Sequence, residues 1–272
     1  MLKPKFADLK SARLAYVEAG TGDPVVLVHG AFSDHRFWAM QIQELAKTHR
    51  CLAIDLRYYG ASWMEPADAY SLTTHAEEIS EFIASVAGAP AHVVATSYGS
   101  AVALVWAAAN PQACASLFLN EPALVSLVTQ AEDLAVLRRA RAAWAPVFAA
   151  LADGDSVLAV RLFCDWTAFP DGFESLPADV QAIFIDNART VSLAFTAPPP
   201  KVVANDLRCI TVPVTLSVGA RTSPFFLVQV QAAHRALAQS RLVEIADSHH
   251  AAPLQSAAAF NNALRHHLLA TR

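Results

Sequence analysis

Short apolar runs separated by helical patterns set the rhythm of this chain. Val25–Val28, Cys51–Ile54, His92–Ala95, Ser116–Leu119, Val214–Val218 and Arg241–Ile245 read as strands, being brief and mostly β-branched or leucine-rich. Most are apolar at consecutive rather than alternate positions, the pattern of strands covered by helices on both faces. Helical stretches lie between them. Thr74-x-x-Glu77 has the form of a capping box, and Ile79, Phe82, Ile83 and Val86 then follow at the spacing of one helical face. Another helix should follow Ser97 and stop near Asn110-Pro111, because proline disfavours helical backbone at the residue before it. Strand alternating with helix predicts an α/β fold built on a mainly parallel sheet.

The alternation fails between Ala123 and Leu207. That stretch is alanine-rich and helical in period, without a convincing strand, and runs into Pro198-Pro199-Pro200, a stiff hinge candidate. The expected division is a core of residues 1–122 and 208–272, with 123–207 inserted as a helical cap. Trp144, Phe148, Trp166 and Phe169 within the cap fit two readings equally, a hydrophobic lid over a substrate or the core of the cap's own helices.

Composition narrows the class. In 272 residues, 54% are hydrophobic and only 16% charged, enough to bury a large core and line an apolar pocket besides. A net charge of −4 with no Lys/Arg run argues against nucleic acid as a partner. The opening MLKPKFADLK is too polar for the centre of a signal peptide, and every long apolar stretch is interrupted well short of a membrane span. Cys51, Cys114, Cys164 and Cys209 are scattered without metal-ligand or C-x-x-C spacing. Gly20-x-Gly22 precedes a strand, and no other glycine spacing fits a dinucleotide fingerprint. The expectation is a cytoplasmic protein that acts on a small molecule, with no membrane, metal or cofactor.

The candidate chemistry centres on VVATSYGSAVAL, residues 93–104. Ser97 falls between a strand and a helix, with Gly99 two residues after it; Ala95 stands two residues before it, where G-x-S-x-G would have glycine. Strand and helix nearly touch at such a turn, so both flanking positions must be small. Alanine keeps that logic. Two further segments occur in order: VVLVHGAFSDHRFW, with His29-Gly30 directly after a strand, and IDLRYYGAS, residues 54–62. Together these segments resemble the α/β-hydrolase family over roughly Leu14 to Leu269, with Tyr58 replacing the first glycine of the family's D-x-R-G-x-G-x-S pattern.

The resemblance implies an eight-stranded, mainly parallel sheet with helices on both faces, a helical cap, and a nucleophilic serine at 97. It also implies an oxyanion hole from two backbone N–H groups, Tyr98 and a residue after His29-Gly30. Ala31 is the choice for the latter, with Phe32 the alternative. His29 reads as a loop organiser and Asp55 as structural. The base should follow the last strand, where His249 and His250 are neighbours; His250, ten residues before Phe260 and three before Pro253, fits the family's spacing. The loop SVGARTSPFF, residues 217–226, has no acid where many relatives carry aspartate. Glu121 follows the strand after the elbow helix, a position from which certain lactonases and haloalkane dehalogenases take their acid. Asp247 is the fallback. A Ser97–His250–Glu121 triad implies hydrolysis of a carboxylic ester or lactone of a small to medium apolar substrate through an acyl-enzyme. A serine nucleophile argues against dehalogenase or epoxide-hydrolase chemistry, which uses aspartate. A C–C bond hydrolase, a cofactor-free perhydrolase, or a binding protein with a vestigial triad are the rival readings.

Overall fold

A computed structural model describes residues 2–64, 70–88, 90–170, 172–198 and 200–271. Pro199, the middle of the proposed proline hinge, lies outside them. Eight strands form one sheet: β1 (Lys5–Asp8), β2 (Arg13–Ala19), β3 (Pro24–Val28), β4 (Arg50–Ile54), β5 (Ala91–Thr96), β6 (Cys114–Asn120), β7 (Val214–Gly219) and β8 (Ser240–Ile245). Their spatial order is β1-β2-β4-β3-β5-β6-β7-β8. The pairs β1–β2 and β2–β4 are antiparallel, and all other neighbours are parallel. The six strands visible in the hydrophobic pattern are β3 to β8.

Side chains on the central strands alternate between two cores. Val26, Val28, Val93, Ala95, Leu117 and Leu119 face one side, packed with residues of α2 (Leu72–Phe82), α3 (Tyr98–Ala109) and α9 (Pro224–Ala236). Val25, Leu27, Val94 and Phe118 face the other, against α1 (Ala39–Leu45) and α11 (Ala257–Ala270). Each fully buried Val or Leu is worth about 1.5–3 kcal/mol, and a one-residue slip would exchange the two faces. The register is therefore held by packing.

From Glu121 to Pro213 the described residues form no strand. Five helices occupy this stretch: α4 (Ala131–Ala142), α5 (Ala145–Ala152), α6 (Ser156–Thr167), α7 (Ala178–Asp186) and α8 (Val191–Thr196). The short α10 (Ala252–Gln255) precedes α11. Val147, Val160, Phe184 and Val191 share one hydrophobic cluster with Phe37, Phe118 and Phe260, so the helical stretch continues one sheet-face core. A polar brace joins it at the rim. Asn187 donates to Asp34 Oδ2 (2.7 Å) and accepts from Gly60 N–H (2.7 Å), while Arg36 pairs with Asp186 (2.8 Å).

One helix start differs from expectation. The cap of α2 is Ser71, whose hydroxyl accepts from Thr74 N–H at 3.1 Å, not Thr74 itself. Ser71 has the extended backbone (φ −151°, ψ 155°) that an N-cap needs, and Thr74 already sits inside the first turn. The helix after Ser97 ends at Ala109, directly before Asn110-Pro111, as expected.

Candidate active site

The parallel strands all deliver their C-terminal ends to one rim, where open α/β sheets build their sites. His29-Gly30 follows β3, Ser97 follows β5, Glu121 follows β6, the Gly219–Thr222 turn follows β7, and His250 lies in the loop after β8. Residues far apart in sequence thus meet.

Ser97 occupies a strained backbone conformation, φ 52° and ψ −119°. Such a conformation costs roughly 1–3 kcal/mol and persists only where the surroundings over-determine it. Here they do. Ser97 N–H donates to Asn120 O (2.8 Å), and Ser97 O accepts from Ala123 N–H (3.1 Å). A Cβ on Gly99 would lie 2.2 Å from the carbonyl oxygen of His29, so only glycine lets α3 approach the β3 loop this closely. A Cβ on Gly30 would lie 3.2 Å from that of Ser97, so the loop bearing Ala31 lies against the elbow. Ala95 is fully buried between β3 and β6.

His250 Nδ1–H donates to Glu121 Oε2 at 2.7 Å, with the carboxylate fully buried. Glu121 is fixed further: Oε1 accepts from Gly219 N–H (2.8 Å), and Oε2 also accepts from the Thr222 hydroxyl (2.8 Å). The loop expected to carry the acid therefore supplies two donors to an acid from β6. Phe226 stacks flat on the imidazole, with centroids 3.5 Å apart and planes 10° apart, and fixes its rotation. Nε2 of His250 is left for a reacting group. Ser97 and His250 line one small cavity together with Ala31 and Phe32.

Asn120 ties these parts together. Its amide donates to Thr96 Oγ1 (3.1 Å) and His250 O (3.0 Å), and its Oδ1 accepts from Ser217 Oγ (3.1 Å). Asn120 and Phe226 were not singled out in the sequence, whereas Thr222 stands with Arg221 where an aspartate would be expected. The signal for Thr222 was present, since it occupies the loop where an acid is missing.

The remaining candidates fall elsewhere. Asp247 is exposed and paired with Arg221 (2.7 Å). His249 is held through its backbone N–H by Gln255 (2.8 Å). His29 is buried and braces the loop, its Nδ1–H donating to Gly30 O (2.7 Å) and its Nε2 accepting from Leu56 N–H (3.0 Å). Burial keeps its pKa low, against the pull of Asp55. Tyr98 N–H is the first amide of α3 and has no intrahelical acceptor, while its hydroxyl is bonded to His75 Nδ1 (2.8 Å). Tyr58, in the glycine position of the family pattern, adopts φ 75°. Asp34, His35 and Asp55 lie close enough to share a metal ion, but protein donors already engage their carboxylate oxygens. Asp55 accepts from His35 N–H, His35 Nδ1–H and Ala61 N–H, and Asp34 from Arg36 and Asn187. That cluster is a loop brace. Of the four cap aromatics, Trp144 packs edge-on to Phe163, Trp166 and Phe225, whereas Phe163 and Phe184 are the cap aromatics that line the cavity.

No helix among the described residues is long and apolar enough to cross a membrane. Among curated proteins the chain is similar to epoxide hydrolase 2 of Caenorhabditis elegans, 39% identical over 82 residues, which are 29% of this chain and 23% of that one. The matched stretch spans only about a quarter to a third of the first such relatives (23%, 28% and 35%). Among solved structures, an esterase from Exiguobacterium antarcticum superposes with a TM-score of 0.77 at 21% identity, covering 97% of this chain and 98% of that one. The enol-lactonase from Burkholderia xenovorans LB400 gives 0.75 at 21% identity, covering 97% and 100%. These structures share the fold. The model of the alpha/beta hydrolase family matches residues 25–263, a span that includes Ser97, Glu121 and His250, and the chain belongs to that family.

Proposed function

We propose that the protein is a serine hydrolase that cleaves a carboxylic ester or lactone through an acyl-enzyme. Ser97 is the nucleophile, His250 the base, Glu121 the acid, and the N–H groups of Ala31 and Tyr98 form the oxyanion hole. The observation that carries the reading is the 2.7 Å contact from His250 to buried Glu121, made beside a serine in the strained elbow conformation. With Nδ1–H given to the carboxylate, Nε2 is the basic nitrogen, which is what a serine hydroxyl requires.

The Ser97 hydroxyl attacks the acyl carbon as His250 Nε2 takes its proton. Glu121 holds the imidazole in that tautomer and stabilises the imidazolium. The carbonyl oxygen gathers negative charge and is held by the two N–H groups, a good donor being worth on the order of 3 kcal/mol. His250 returns the proton to the leaving alkoxide, and the bond to the alcohol breaks. Water, deprotonated by the same nitrogen, then attacks the acyl-serine, and His250 passes that proton to the Ser97 oxygen as the acyl–serine bond breaks and the acid leaves. Residues 123–207 act as the cap, contributing Phe163 and Phe184 over the serine.

Stoichiometric labelling tests this. A small organophosphate should modify the native protein once, at Ser97, and should leave Ser97→Ala unmodified. A native protein that resists labelling would favour a binding protein with an inert triad.

A further inference from the structure

Resting on that reading, the cavity beside Ser97 also limits what acyl group can enter. Its volume is about 50 Å³. Drug-sized ligands occupy sites of about 300–1,000 Å³, far larger. The walls are closely packed. Phe32, Phe37 and Phe184 are each less than 7% exposed. Phe163 of α6 is locked edge-on between Phe32 (5.5 Å) and Phe195 (5.4 Å).

Charge is excluded as firmly as length. Among the described residues that line the cavity there is no Lys or Arg. Of its hydroxyls, Ser33 donates to Gly30 O (3.2 Å) and Thr167 donates to Phe163 O (2.8 Å), while Thr96 Oγ1 accepts from Asn120 (3.1 Å) and keeps its own hydrogen. Burial keeps the Cys164 thiol protonated. A second carboxylate on the acyl chain would meet no cationic side chain there, and burying a charge without a charged partner is costly.

We propose that this cavity is an acyl site selecting short, uncharged acyl groups, with Phe163 as the residue that sets the length limit. The alcohol is not restricted by it.

The test is turnover of p-nitrophenyl acetate, butyrate and octanoate, beside the p-nitrophenyl half-ester of succinate. The native enzyme should show a kcat/KM at least about tenfold higher for acetate than for octanoate, and should discriminate against succinate relative to butyrate by a comparable factor or more. Phe163→Ala should raise the octanoate-to-acetate ratio at least about tenfold and leave succinate rejected; Phe163→Leu makes the same test with less loss of packing. Octanoate cleaved as well as acetate, or succinate as well as butyrate, would overturn the acyl-site proposal. Labelling of Ser97 by methanesulfonyl fluoride separates the two levels. Labelled enzyme that prefers octanoate loses only this inference, whereas protein that is neither labelled nor active on any ester loses the hydrolase reading with it.

Discussion

The Glu121 carboxylate is fully buried and carries three donors: His250 Nδ1–H, Gly219 N–H and the Thr222 hydroxyl. An amide in its place would keep the shape while offering Nδ1–H a weaker acceptor, or a donor that clashes with it. Glu121→Gln should therefore lower kcat by roughly 10³–10⁴, the loss expected when a triad carboxylate is amidated. Asp247→Asn should change kcat by no more than a few-fold, because Asp247 is exposed and its partner is Arg221. Steady-state kinetics on an activated short-chain ester compares the two, and the reverse ranking would transfer the acid role to Asp247. Thr222→Val deletes one of the three donors while conserving size. It should cost about tenfold in kcat with KM unchanged, since Thr222 acts through Glu121 and not on the substrate.

The elbow is a property of β5 and α3 acting together. Gly99→Ala would put a methyl 2.2 Å from the His29 carbonyl oxygen and 2.7 Å from that of Val28, both backbone atoms that cannot swing aside. The variant should lose about 1–3 kcal/mol of stability or more and displace the loop bearing Ala31, lowering both Tm and turnover. Ala95→Gly should retain turnover and cost only about 0.5–1 kcal/mol in strand entropy, since glycine also satisfies the need for a small residue there. Thermal melts paired with ester turnover distinguish the two. These residues also explain what was legible in advance. Ser97, Gly99, Glu121 and His250 could be put forward as candidates because each has a local cue: a small-residue turn, an acid directly after a strand, a histidine at a fixed spacing from Pro253. The buried parallel strands β3 to β8 announced themselves as apolar runs. β1 and β2 did not: β1 is four residues with only Ala7 buried, and β2 interrupts its apolar residues with Arg13 and Glu18. Phe226 and Asn120 were illegible for another reason. Their roles are pairwise contacts across 24 and 130 residues of chain respectively, to His250, and no local pattern encodes a stack or an amide bridge at that separation.

At the scale of the molecule, two buried histidines tie stability to pH. His75, on α2, has its Nδ1 bonded to Tyr98 OH (2.8 Å), and burial pushes its pKa down to about 3. His267, on α11, bridges Thr215 (2.9 Å) and Ser116 (2.8 Å) beneath the sheet; burial first, then the neighbouring His92 and Arg241, lowers it to about 4. Both stay neutral in the native state at pH values where the unfolded chain, with its histidines near the ordinary value of about 6.5, takes up protons. The unfolded state then binds more protons than the native one, so stability falls as pH drops from about 6.5 toward 4 and is fully retained above that window. His35 acts the other way. Burial alone would lower it, but Asp55 at 2.8 Å prevails and raises it, so it gains stability as pH falls. With His29 also held low by burial, the depressed histidines outweigh the one raised, and the net loss should be on the order of a few kcal/mol by pH 4.5. Thermal melts from pH 7.5 to 4.5 should show Tm declining through this range. The decline should be shallower in His267→Gln, which can keep a hydrogen bond to Ser116 or Thr215 but cannot titrate. A Tm that is flat in the parent, or equally steep in the variant, would mean that the burial of His267 beneath the sheet does not set the acid limit of this fold.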